Sequence, residues 1–172
     1  MNAPRMVLTP RSTGARATAV CSDVTLDIRV TYADDLDART PVQRQIDALM
    51  APSETARRVL IGDLEFYFAD GVHLAGVSLY ANFAAASPDD GSAAGSGEPV
   101  WIGFPDLAET DRDVIHVEAE VAVAVSRERR RARVRINARS PATHYMLADG
   151  LALGVDASGA IAELVADNVA FD

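Results

Sequence analysis

His116, Glu118 and Glu120 are the first residues of this chain whose types and spacing could do chemistry. An imidazole and two carboxylates are metal ligands, and on a strand the positions i, i+2 and i+4 share one face. Alternate residues stand about 6.5–7 Å apart along a strand, whereas zinc ligands sit about 2 Å from the ion. His116 and Glu120 therefore do not converge easily on one metal. The row reads first as one side of an ion-pair ladder, and no metal or other cofactor is expected. A metal site on His116, Glu118 and Glu120, joined after folding by His73 or His144, is the alternative.

A second set is aromatic. Phe66, Tyr67, Phe68, Tyr80, Phe83 and Trp101, with Tyr145 near one end, could line a cavity for an apolar small molecule. His73 or His144 would then be the acid–base group of a small β-barrel enzyme of the isomerase or cyclase kind. Against this, aromatics are only 6% of the chain, so a core needs most of them. Cys21 is the single cysteine, which excludes an intramolecular disulfide and a cysteine zinc cluster. The sequence contains no G-x-S-x-G elbow, no phosphate-binding G-x-x-x-x-G-K-[ST] loop and no H-E-x-x-H helix.

The stretch from Val114 to Arg139 must position the first set. Ile115, Val117, Ala119, Val121, Val123 and Val125 alternate with polar or small residues; Ala132, Val134, Ile136 and Ala138 then alternate with Arg131, Arg133, Arg135, Asn137 and Arg139. Period-2 alternation rich in β-branched residues is a strand signal, and the two runs predict one long hairpin. Directly paired residues share a face, so the loop must be even: Arg127-Glu128, or Arg127 through Arg130. Glu120 would lie opposite Arg135 or Asn137, and Glu118 opposite Asn137 or Arg139. One face is apolar and the other ionic, as in a half-buried antiparallel sheet.

Earlier in the chain, Ala19 to Tyr32 alternates as a long strand with Cys21 on its wet side. Thr40-Pro41-Val42-Gln43 matches a capping box, and Val42, Ile46, Leu49 and Met50 follow helical spacing up to Pro52. Residues 53–60 read as a second short helix, with a strand at 58–61 as the alternative. Asp70-Gly71 predicts a two-residue hairpin turn setting Phe68 opposite His73, Phe66 opposite Ala75 and Leu64 opposite Val77. Short strands follow at 100–104, 143–147, 151–155 and 161–171.

The domain reading is a flexible arm over residues 1–16 and a single domain over 17–172, interrupted by a flexible Gly/Ser-rich loop at 84–98. The fold class is α+β, mainly antiparallel β, with eight to ten strands: a twisted sheet or partly closed β-barrel with one or two helices packed across it.

Net charge is −9, with no lysine among the 16 basic residues. Three arginines and no acid fall in the first 22 residues, so the remaining 13 arginines face all 25 acids. A body this acidic argues against nucleic acid as a partner. No run of 18 apolar residues occurs, so no ordinary membrane span is expected; prolines and arginines interrupt the N-terminal stretch where a secretory signal would be apolar, and a cytoplasmic location is expected. The function expected first is a noncatalytic binding or assembly domain that self-associates into a homo-oligomer through a β-sheet face. The enzyme or carrier with the aromatic cavity is the rival.

Overall fold

The computed structural model describes residues 5–33, 57–69, 73–92, 97–109 and 114–172. In chain order the elements are β1 (Val7–Pro10), β2 (Ala15–Cys21), β3 (Thr25–Tyr32), β4 (Arg57–Ile61), β5 (Leu64–Ala69), β6 (His73–Tyr80), a 3-10 turn (Phe83–Ala85), β7 (Ser87–Pro88) and β8 (Glu98–Gly103). Then come helix α1 (Pro105–Glu109), β9 (Val114–Val117), β10 (Val121–Ser126), β11 (Arg131–Ile136), β12 (Thr143–Ala148), β13 (Leu151–Val155), β14 (Ile161–Asp167) and β15 (Ala170–Phe171).

The strands form two mixed sheets, ordered β1-β8-β12-β13-β14-β11-β10-β7 and β15-β2-β3-β6-β5-β4-β9. Their inner faces share one core, in which Leu151, Leu153, Leu164, Val134 and Ile136 of the first sheet meet Leu26, Ile28, Val59, Leu64, Phe66 and Val77 of the second. The protein is thus mainly β. This corrects the expected α+β class: α1 is the one α-helical element of more than a single residue among the described residues, and the sheets do not close into a barrel. The helix expected from Thr40 lies outside the described residues. The second expected helix gives way to strand from Arg57, since Val59 and Ile61 alternate into the core. Within the segment expected as an arm, Val7–Pro10 pairs antiparallel with β8, and Arg11 is buried. Its guanidinium donates to the carbonyls of Val100, Thr13 and Leu147 and lies 5.7 Å from the Trp101 ring centroid.

Three strand expectations are corrected by local turn chemistry. The single strand over 19–32 is a hairpin, β2–β3, whose turn is organised by Ser22: its Oγ accepts from the amides of Val24 and Thr25. A side-chain acceptor here offers the backbone an alternative to the ladder. The turn resets parity, so Cys21 pairs with Leu26 and is buried in the core, not on the wet side. The β5–β6 hairpin pairs Leu64 with Leu79 and Phe66 with Val77, two residues beyond the expected register, with Ala69 opposite His73 and a bulge near Phe68. A two-residue shift keeps Leu64 and Phe66 inward, while past the bulge Phe68 faces Leu74, one residue from its expected partner, so Leu74 takes the core face and His73 is exposed.

The long hairpin of 114–139 is also divided. β9 belongs to the second sheet, pairing parallel with β4, and β10 belongs to the first. Residues 118–120 cross between them, and Gly62 receives the crossing chain: its φ is +58°, and a Cβ there would lie 2.5 Å from the Ala119 carbonyl oxygen. From Val121 onward the expected face and one of the two expected loops hold, with Val121 opposite Ile136, Ser126 opposite Arg131, and Arg127–Arg130 as the loop.

Candidate functional site

The ionic face of β11 becomes a buried cluster. Arg131, Arg133 and Arg135 point away from the shared core, beside Asp167, Val165 and Glu163 of β14. The chain then places a strap over this face. β7 lies at the β10 edge, and the residues that follow it, Asp89 to Ser92, lie against this face. Arg133 fastens the strap: Nε donates to Asp89 Oδ1 at 2.8 Å, Nη2 to the Ser92 carbonyl at 2.6 Å, and Nη1 to Glu163 Oε1 at 2.7 Å. Arg131 adds bonds to the Gly91 carbonyl at 2.9 Å and to Asp167 Oδ1 at 2.5 Å. Arg133, Asp89 and Glu163 are all buried.

Such a cluster is costly to desolvate and is held only when charges and hydrogen bonds are matched. Burial alone lowers the affinity of the Arg133 guanidinium for its proton; Asp89 and Glu163 outweigh that and hold it above its ordinary value. Asp89 Oδ2, also buried, has no hydrogen-bond partner, which leaves part of the cost uncompensated.

Glu163 also reaches His144 on β12, with Oε1 and Nε2 2.7 Å apart. Gly154 of β13 lies between them in the register and makes room: a Cβ there would lie 2.6 Å from Glu163 Cγ and 3.2 Å from His144 Nε2. His144 is the member that opens to solvent, its side chain 35% exposed. Chemically the arrangement fastens a loop to a sheet: apart from Asp89 Oδ2, its buried donors and acceptors are spent on one another or on strap carbonyls.

The candidate residues named from sequence fall in separate places. His116 is exposed on β9, and Glu118 and Glu120 are exposed on the crossing segment. The expected ladder of these acids against the arginine row is therefore corrected: the arginines take Asp89, Glu163 and Asp167, and Glu120 meets Asn137 through backbone and amide hydrogen bonds. Among the described residues no group of three His, Cys, Asp or Glu is placed to hold a metal ion.

The aromatic set does not line one cavity among the described residues. Phe66, Phe68 and Phe83 are core, with Phe104 packed on the first two. Tyr67 lies on the outer face of the second sheet, bonded to Glu65 and Ser78 at 2.8 and 2.9 Å; burial, then the contact with Glu65, pushes its phenol up despite the Ser78 bond. Tyr80 is 71% exposed and borders an open depression of about 610 Å³ with Asp23, Val24, Ala81, Asn82 and Ala84. Trp101 stacks at the seam of the two sheets, 4.8 Å from Tyr32 and 4.9 Å from exposed His73. Tyr145 packs against the core from β12. Cys21 is buried, which pushes its thiol up.

Sequence reasoning passed over Asp89, Glu163 and Gly154. A glycine inside the apolar run Leu151–Val155 was a signal of close approach. Nothing local marked Asp89 as the partner of a residue 44 positions away. No helix among the described residues is long and apolar enough to cross a membrane. No protein-family model matches the chain, and no curated protein matches it.

Proposed function

We propose that this chain is a noncatalytic binding and assembly domain, working in the cytoplasm as a homo-oligomer that self-associates through its β-sheets. The observation that carries the reading is how both sheets end. Their outermost strands are β1, β7, β9 and β15, of four, two, four and two residues. β7 reaches only Ala124 and Val125 of the six residues of β10, and unpaired backbone donors and acceptors along a sheet edge are a template for another chain. The polar cluster supports the same reading, because its groups are turned on one another.

The rival is a small enzyme or carrier binding an apolar molecule. It draws on the Tyr32–His73–Trp101 rings, with His73 exposed beside them. Native mass spectrometry of untagged protein, followed by the same sample denatured, separates the two. A homo-oligomer without added mass is the expected result. A monomer carrying a small-molecule mass that leaves on denaturation would overturn the assembly reading in favour of the rival.

A further inference from the structure

We propose that the free edge of β10 is the self-association seam, pairing antiparallel with β10 of a second copy, and that the strap beginning at β7 gates it; this rests on the assembly reading above. β10 is Val121-Ala122-Val123-Ala124-Val125-Ser126, with every residue paired to β11 on one side. On the other side β7 pairs only with Ala124 and Val125, and the strap amide of Asp89 adds one bond to the Val125 carbonyl. Val121, Ala122 and Val123 have no strand partner on that side among the described residues; the 3-10 turn Phe83–Ala85, which leads into β7, packs against β10 there and must move aside with it. Three valines of high β propensity alternate here with two alanines and a serine, all uncharged, and the strand itself holds neither a lysine nor a proline to deter pairing with another chain.

The charges flanking β10 select the partner and its direction. Glu118 and Glu120 precede the strand, and Arg127, Glu128, Arg129 and Arg130 follow it, a net +2, all exposed. In an antiparallel two-fold pair the acidic end of each strand lies beside the basic end of the other, twice over. A parallel pair would bring like charges together at both ends. An antiparallel pair centred on Val123 also sets Val121 opposite Val125 of the second copy, so the apolar faces of the two sheets run on continuously. Isologous closure of this kind limits the assembly to a dimer at this seam.

The gate follows from the same geometry. β7 occupies the Ala124–Val125 half of the edge, so pairing along all six residues requires it to leave. Its hold on β10 is two residues long and includes Pro88, which has no amide to donate. The strap is kept in place by Arg133 and Arg131, through Asp89 and the carbonyls of Gly91 and Ser92.

The test uses two charge-reversed full-length variants, Glu118→Arg with Glu120→Arg, and Arg127→Glu with Arg129→Glu, analysed by sedimentation velocity alone and mixed. Each variant alone is expected to raise the dimer dissociation constant about tenfold or more, and the equimolar mixture to recover wild-type affinity by forming the heterodimer. Ala122→Lys, at an exposed position, is expected to weaken the dimer comparably, and hydrogen exchange is expected to protect the amides of Val121 and Val123, which face the open edge, only in the dimer. A wild type that self-associates while the mixture gains nothing, or while those amides stay unprotected, would place the seam elsewhere and leave the assembly reading standing. A wild type that stays monomeric at every concentration would overturn both.

Discussion

Glu163 and His144 meet across an intervening strand: Oε1 and Nε2 are 2.7 Å apart although β13 separates their backbones. The contact passes over Gly154, where the absent side chain leaves a channel between β14 and β12. One end of the buried cluster thus depends on a residue that contributes no atoms to it.

Gly154→Ala is therefore expected to destabilise the fold by about 1–3 kcal/mol, the usual cost of forcing a methyl into packed structure. Its Cβ would also lie 2.9 Å from Pro141 Cβ, so there is no side towards which it could relax freely. Urea denaturation compares variant and wild type; an unchanged midpoint would mean that Glu163 and His144 do not occupy this channel.

Removing one member of the cluster should cost more than removing all of it. Arg133→Met leaves Asp89 and Glu163 buried without their cation and is expected to lose about 3–5 kcal/mol. Adding Asp89→Leu and Glu163→Leu to that change is expected to recover most of the loss, since matched apolar groups replace a buried ion pair at little net cost. The recovery, read from denaturation midpoints of the single and triple variants, is the informative quantity. A triple variant less stable than Arg133→Met alone would contradict the arrangement.

The division of the aromatic set has its own test. Phe66 is fully buried and Tyr80 stands in solvent. Phe66→Ala should cost about 3–5 kcal/mol through the cavity it opens. Tyr80→Ala should fall within about 0.5 kcal/mol of wild type. Similar losses at both positions would mean that they line one enclosed space.

At the β13–β14 turn, Asp156 Oδ1 accepts from the Ser158 hydroxyl and from the amides of Ser158 and Ala160, and Oδ2 accepts from Arg139. The Ser158 and Arg139 bonds, followed by the Ala160 amide, hold its carboxyl well below the ordinary carboxylate range. A group depressed in the folded state stabilises the fold above its unfolded-state value, and loses that contribution as pH falls towards its folded value. Asp156→Asn should thus be less stable than wild type at neutral pH, with the difference shrinking as pH is lowered through the carboxylate range. Thermal melts across that range check it; a difference independent of pH would assign the effect to turn geometry alone.

Much of the fold was legible from alternation. The inward faces of β3, β5, β10 and β11 are the apolar positions of period-2 runs, because a strand with one wet side must place every second residue in the core. What alternation cannot show is where a strand stops. The Ser22 turn and the crossing at 118–120 each interrupt a run whose pattern continues through the break, so two elements read as one.

Sequence alone determined that this would be a β-rich protein, that the residues of β11 would divide into an apolar row and an arginine row, and that Phe66 and Phe68 would point one way. The tertiary structure decided what the arginines meet. Ion pairing depends on which segments are brought within a few ångströms, and Asp89 and Glu163 approach Arg133 only once the residues after β7 lie on the sheet and β14 has paired with β11. Period fixes the face a side chain takes; partner choice belongs to topology, which no local pattern encodes.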